Sequence, residues 1–280
     1  MLKLIFMVLL LGLNSALAAA PVAMVTDLQG SVTRDGQPLA LLAELDAGAQ
    51  LQLAADSQLT LVLYRSGEEF RLQGAGQASL TESAVLLDGK PLAGAALLLS
   101  AEGAKLSSAQ LSQAAILMRS AVQKDRLIEL SYPVSSVILE PRPVFSWRIQ
   151  GDSEKAYSYR LEVLSEKGKS LFVGSSDIGR LRLPKGVELP RGERLTWELE
   201  AKKDGKMTLA SADFRIASDE LVDRVDQLSA QVGEDFARRV MFARFLQANS
   251  LKHDAANYWK GLAEEHPERQ ELRAQIKSGN

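Results

Sequence analysis

Apolar and polar positions alternate in short runs from Pro21 onward, and glycines separate the runs. Val22, Ala23, Met24 and Val25 open one strand, which Gly30 turns. Val32-Thr33-Arg34 leads into Asp35-Gly36, a pair that favours a two-residue hairpin turn. Leu51 and Leu53 share a face. Leu59, Leu61 and Leu63 alternate with Thr60, Val62 and Tyr64, and Phe70 and Leu72 continue the alternation beyond Ser66-Gly67. Such period-two runs predict a small all-β unit over residues 21–106. It contains an echo: Asp35-Gly36-Gln37-Pro38-Leu39-Ala40 returns as Asp88-Gly89-Lys90-Pro91-Leu92-Ala93, and Gly48-Ala49-Gln50-Leu51 as Gly103-Ala104-Lys105-Leu106. The echo reads as a generic turn used twice or as a half-unit duplicated within 85–106, and the generic turn is the simpler account.

The period then changes. Ser107 and Ser108 are good N-caps, and Leu111, Ala115, Met118 and Val122 recur at helical spacing, which predicts a linking helix within 107–126. Alternation resumes over 127–217. Phe145 and Trp147 share a face, and Tyr157, Tyr159, Leu161 and Val163 alternate with Ser158, Arg160 and Glu162. Leu195, Trp197 and Leu199 alternate with Thr196, Glu198 and Glu200, before the Asp204-Gly205 turn and a last strand carrying Phe214 and Ile216. Short strands at this density predict a two-sheet sandwich. Trp147 and Trp197 each alternate with apolar neighbours, which favours a core role over stacking on sugars.

Residues 218–280 turn helical. Ser218 precedes Leu221, Val222, Val225 and Leu228, and Gly233 breaks the run. Phe236, Val240, Ala243 and Leu246 form one stripe, and Ala255, Tyr258, Trp259 and Leu262 form another across an Asn249-Ser250 turn. Two such helices with a tight turn predict an αα-hairpin. Pro267 ends it, and Leu272 and Ile276 sit on a last helix.

Residues 1–18 have a different character. Lys3 precedes an apolar run from Leu4 to Leu13, and Ala16 and Ala18 stand at signal-peptidase spacing, so cleavage is expected near Ala18. The run falls short of the roughly 20 apolar residues that span a bilayer. No cysteine occurs anywhere, which excludes disulfides, thiolate chemistry and a lipid-attachment cysteine. The net charge of −2 comes without a basic block, so neither nucleic acid nor anionic lipid is an indicated partner.

Three stretches resemble known families. Gln29-Gly30-Ser31-Val32, Asp35-Gly36, Ala47-Gly48, Asp56-Ser57 and Ser66-Gly67 together resemble a FecR-type domain, named for periplasmic sensors of iron-transport signalling. The resemblance implies a compact β fold and an envelope location. The chain carries neither the cytoplasmic part nor the membrane helix of those sensors, so inward signalling does not follow. Arg142-Pro143-x-Phe145-x-Trp147, Tyr157-x-Tyr159, Leu189-Pro190-x-Gly192 and Leu195-x-Trp197 resemble immunoglobulin-like, fibronectin type III-like modules of bacterial envelope proteins, which act as spacers or platforms. Ala243, Leu246, Ala255, Trp259 and Pro267 resemble one tetratricopeptide unit. A single unit needs a surface to pack on, either the sandwich or another chain. Phe236, Val240, Tyr258, Trp259 and Leu262 are therefore the candidate partner-binding residues.

Candidate chemistry is sparse. His253 and His266 are too far apart for an i, i+4 metal pair, and they read as helix surface. No nucleophile elbow, phosphate loop or calcium loop occurs. Glu68 and Glu69 are adjacent on a strand, so their side chains face opposite ways and do not form a shared-proton dyad. No catalytic, cofactor or metal residue is expected. The sequence reads as a periplasmic, non-enzymatic adaptor for another envelope protein. A peptidoglycan or glycan binder is the alternative, and an enzyme comes last.

Overall fold

The computed structural model describes residues 21–96, 127–151 and 156–278. The stretch 1–18 expected to be a signal segment, the stretch within 107–126 expected to be a linking helix, and the echo at Gly103–Leu106 lie outside the described residues. The described chain is mainly β with helices at the C-terminal end.

The first unit contains β1 (Pro21–Gln29), β2 (Val32–Arg34), β3 (Gln37–Pro38), β4 (Glu44–Asp46), β5 (Gln50–Leu53), β6 (Gln58–Leu63), β7 (Glu68–Gln73), β8 (Gly76–Leu80), β9 (Val85–Leu87), β10 (Lys90–Pro91) and β11 (Ala95–Ala96). They form two sheets, ordered β11-β7-β6-β1-β4 and β10-β9-β8-β5-β2-β3. The alternating leucines meet between them: Leu51, Leu53, Leu59, Leu61, Leu63 and Leu72 belong to one core. Gly30 adopts φ 73°, and a Cβ there would stand 2.9 Å from the Asp56 carbonyl oxygen, so the turn after β1 requires glycine.

The echo has a structural counterpart. Asp35-Gly36 joins β2 to β3, and Asp88-Gly89 joins β9 to β10, with matching left-handed φ values of 51° and 77°, then 49° and 75°. Each hairpin closes with the same bond, Leu39 N–H to Val32 C=O and Leu92 N–H to Val85 C=O, both at 2.8 Å. The hairpins lie at opposite ends of one sheet, related across the central β5–β8 pair. The repeated unit is thus a complete hairpin, larger than its turn.

The second unit contains β12 (Ile128–Tyr132), β13 (Ser136–Ile138), β14 (Val144–Ile149), β15 (Ser158–Ser165), β16 (Ser170–Ser176), β17 (Arg180–Arg182), β18 (Arg194–Lys203) and β19 (Lys206–Ile216). A three-stranded sheet, β12-β14-β17, faces a five-stranded one, β13-β19-β18-β15-β16. The aromatic positions fill the space between them. Phe145, Trp147, Tyr159, Trp197 and Phe214 share a core, and the Trp147 and Tyr159 ring centroids are 5.1 Å apart. Trp197 Nε1 donates to the Pro133 carbonyl at 2.7 Å.

Four helices follow in the described residues: α1 (Asp219–Val232), α2 (Phe236–Ala248), α3 (Lys252–Glu265) and α4 (Gln270–Ser278). Ser218 Oγ caps α1 by accepting from the Leu221 N–H, and Gly233 ends that helix. Asp235 caps α2 by accepting from the Arg238 N–H. The decisive element is α2, where the stripe read from sequence is too narrow. Met241, Phe242 and Phe245 are buried alongside Val240, Ala243 and Leu246, so the helix is covered on nearly every side. It packs on β1, α1 and α3 at once.

Candidate functional site

The residues expected to bind a partner lie at this junction. Val240, Trp259 and Leu262 are each 0% exposed. They belong to a third core built by the helices together with Met24, Leu41 and Val62 of the first unit and Val137 and Ala217 of the sandwich. Trp259 Nε1 donates to Gln247 Oε1 at 3.3 Å, which fixes the indole between α2 and α3. Phe236 and Tyr258 are half-buried at its edge. Phe236 contacts the His266 ring and lies under the Arg269 guanidinium, 3.9 Å from its centroid. The hairpin's apolar stripe therefore packs on the chain's own β units.

The geometry explains why this surface accepts the tail. Strand alternation sends Leu61 and Leu63 into the first core and Val62 outward, where Met24 stands beside it on the adjacent strand. Both are covered by helices. On the sandwich side, Val137 N–H and Ser136 Oγ both donate to the Ser250 carbonyl, at 2.8 Å and 3.1 Å. The α2–α3 turn is thereby tied to β13. Burying a few methylene-rich side chains here contributes about 1.5–3 kcal/mol each.

Charges ring the apolar centre. Arg269 meets Asp27 at 2.7 Å, Arg71 meets Asp235 at 2.6 Å, and Arg244 lies 3.8 Å from Glu44. Burial pushes the Asp235 carboxyl up, but the Arg238 backbone N–H and the Arg71 guanidinium outweigh it and hold it below its usual value. Burial, with Glu44 beside it, pushes the Tyr64 phenol above its usual value. Glu69 is 4% exposed beneath this rim. One of its oxygens accepts from Arg71 Nε at 2.5 Å, and the other has no hydrogen-bond partner among the described residues. Sequence reading set Glu69 aside with Glu68 as an unproductive pair. Glu69 stands beside Val62 on the outer face of β6 and β7, where strand alternation alone would leave it exposed.

A cleft of about 80 Å³ opens between β6, β7 and the start of α2, lined by Gln58, Thr60, Arg71, Gln73, Asp235 and Phe236. Small-molecule sites usually start near ~300 Å³. Among the described residues, no group of three or more histidine and carboxylate side chains stands close enough to hold a metal ion. His253 packs against Tyr132 at 4.9 Å, and His266 lies at the end of α3 near Glu268. Trp147 and Trp197 are 2% and 0% exposed, so they pack in the core and present no sugar-stacking face.

The sandwich offers a different kind of surface. β19 pairs with β18 from Lys206 to Arg215, but β13 covers its other edge only from Phe214 to Ile216. The Asp213 carbonyl accepts from the Ser135 N–H at 2.7 Å, so it points away from β18. The ladder has no register shift, and backbone direction alternates along it. The N–H and C=O groups of Met207, Leu209 and Ser211 therefore face the same open edge. Met207 and Leu209 are also the most exposed large apolar side chains among the described residues, at 59% and 53%.

No helix among the described residues is long and apolar enough to cross a membrane. No protein-family model matches the chain, and no curated protein matches it.

Proposed function

We propose that this chain is an exported, non-enzymatic adaptor of the bacterial cell envelope that holds another envelope protein. The observation that carries this reading is the third core, in which the helical tail joins two β units of platform type into one body. Such a body holds a partner surface at a fixed position. The FecR-like turn pattern and the signal-like leader support the periplasm as its compartment. The fibronectin-like spacing supports a platform role. The polar cleft between β6, β7 and the start of α2 is much smaller than a usual small-molecule site and is crossed by the Arg71–Asp235 ion pair, which favours binding over catalysis.

The test is capture from a periplasmic extract with the full chain, expressed with its own leader and tagged at the C-terminus. One partner recovered reproducibly in near-equal amount is the expected result. Recovery of background alone, or retention of the chain in the cytoplasm, overturns the reading. Sedimentation with purified peptidoglycan is the companion measurement. An adaptor stays in the supernatant, and pelleting would replace this reading with a glycan-binding one.

A further inference from the structure

We infer that the outer face of the three-stranded sheet, built on β14 and β17, docks helix α1 of a second copy of this chain. The contact goes beyond the adaptor reading and does not depend on which partner the chain holds.

The receiving face is basic. In β14 and the two residues before it, buried Pro143, Phe145 and Trp147 alternate with outward Arg142, Val144, Ser146 and Arg148. β17 places Arg182 opposite Val144 and Arg180 opposite Ser146. Four exposed arginines therefore frame a small, uncharged floor. They are scattered in sequence, and the β14–β17 pairing is what gathers them. None of the four makes an ion pair or a side-chain hydrogen bond with another described residue. Glu129, opposite Arg148, is the one carboxylate on the three strands, and Asp177 and Lys185 in the flanking turns offset each other. A guanidinium grips a carboxylate through two parallel hydrogen bonds, so this face suits a row of carboxylates.

The chain itself carries that row. On α1, Asp219, Asp223 and Asp226 recur at i, i+4 and i+7, on the side opposite buried Val225, Leu228 and Val232. Glu220 widens the stripe, and all four acids are exposed. Of the four, Asp219 alone has an ion-pair partner among the described residues, Arg191 at 3.0 Å. The helix's one basic residue, Arg224, lies off the stripe and is half-buried. The stripe runs about 10 Å from Asp219 to Asp226. Arg180 and Arg182 stand about 7 Å apart, and Arg142 and Arg148 about 20 Å apart on the next strand, so the stripe fits inside the arginine frame. A helix laid on a sheet face is an ordinary way for two layers to pack. A different acidic partner would answer the arginines and leave the acidic stripe of α1 unanswered, whereas a second copy answers both. The net charge of −2 also leaves little overall repulsion between copies. One face meets a different face, so the contact is head-to-tail and propagates into rings or filaments. Exposed ion pairs are individually weak and screened by salt, which makes the association dependent on concentration and ionic strength.

The test is sedimentation of the full chain, expressed with its own leader, over a series of protein concentrations. It is run in about 20 mM and about 500 mM salt, which shortens the screening length from roughly 20 Å to roughly 4 Å. The expected result is a mean mass that rises with concentration in low salt, and a monomer in high salt. Arg180→Glu/Arg182→Glu and Asp223→Lys/Asp226→Lys should each weaken the association about tenfold or more. Mixed in equal amounts, the two variants should associate again, because the arginine face kept by one meets the α1 acids kept by the other. All four positions are exposed, so both variants should keep the wild-type denaturation midpoint. Should a charge reversal lower that midpoint, Arg180→Gln/Arg182→Gln and Asp223→Asn/Asp226→Asn test the same contact by neutralisation, with a loss in the same direction. A wild-type chain that stays monomeric in low salt overturns the inference. So does association that ignores salt, association that survives either pair of substitutions, or a mixture that stays monomeric. A monomer that binds inorganic polyphosphate through these arginines also overturns it, because it puts a phosphate polymer on the face. None of these outcomes bears on the adaptor reading, which stands or falls on capture of a partner.

Discussion

Two sheet faces in this molecule carry similar ingredients and meet opposite fates. The outer face of the first unit's β1–β6–β7 sheet places Met24 and Val62 side by side at its centre, with Asp27, Glu44 and Arg71 around them. Helix α2 covers it. The outer face of the sandwich's five-stranded sheet carries charge at its centre, in Arg160, Glu162 and Glu200, and places Met207 and Leu209 on the stretch of β19 that its pairing with β13 does not reach. Among the described residues nothing pairs with that edge. The difference lies in where the apolar atoms sit. A central apolar patch suits a helix, whose backbone is self-satisfied. An apolar edge suits a strand, which satisfies the open backbone groups as well.

Substitutions at the two faces break the comparison most directly. Trp259→Ala should have the largest effect, costing about 3–5 kcal/mol, because it empties the centre of the third core. Denaturant unfolding reads the loss. Hydrogen exchange should show α2 and α3 loosening together with the outer face of β1 and β6. A cost below about 1 kcal/mol would mean the tail is not the element that joins the units. The same residue type then compares the two faces. Met24→Ala should cost about 2–5 kcal/mol, and Met207→Ala should stay within about 0.5 kcal/mol of zero. Equal costs would show that the β19 edge is covered in solution.

Arg71→Ala addresses the rim of the covered face and should come next, at about 1–3 kcal/mol. It removes the partner of Asp235 and leaves the Glu69 carboxylate buried without its guanidinium. The double variant Glu69→Leu/Arg71→Ala should recover most of the loss, since an apolar pair leaves no uncompensated charge. Asp235 sets the pH dependence. Its folded value lies below its unfolded one, so its contribution is complete above the unfolded value near ~4 and is lost as pH falls through the folded value. The gap between wild type and Arg71→Ala should therefore narrow in acid. A gap that stays constant down to about pH 2 would remove Asp235 from the account.

Much of the fold is legible because it follows from local period. The alternation of Leu59, Leu61 and Leu63, the Asp-Gly turns, the Ser218 cap and the Gly233 break are each one-element facts, and the structure places them accordingly. The tail's role is a two-surface fact. Its clue is the density of Met241, Phe242 and Phe245 between the stripe positions, since a helix that is apolar all round must be covered all round. Val62 carries the matching clue, an apolar residue on the strand face that alternation would leave polar. Neither clue says which surfaces meet. The β19 edge is less legible still. Sequence shows Met207 and Leu209 alternating, but only sheet order reveals that β13 stops at Phe214.

Asp254 allows the finest test, because it lies where the tail meets the sandwich and its effect has the opposite sign. Burial raises the Asp254 carboxyl above its usual value, against the lowering influence of neighbouring His253. Tyr132 across the contact is pushed up to about 12, by burial first and then by the charges of Asp254 and Glu140. A carboxyl whose folded value is raised is disfavoured in its ionised form, so at neutral pH it works against folding. Asp254→Asn should then stabilise the protein at pH 7 by less than about 1 kcal/mol. The gain should disappear as pH falls below the unfolded value near ~4, where wild type is protonated in both states. The first turn of α3 prefers negative charge, which opposes the burial effect. If Asp254→Asn instead destabilises at pH 7, the helix end dominates, and the contact with Tyr132 is more hydrated than its geometry implies. The sign at this one residue therefore reports how dry the seam between tail and sandwich is, a property that the covered face of the first unit has in full and the β19 edge lacks.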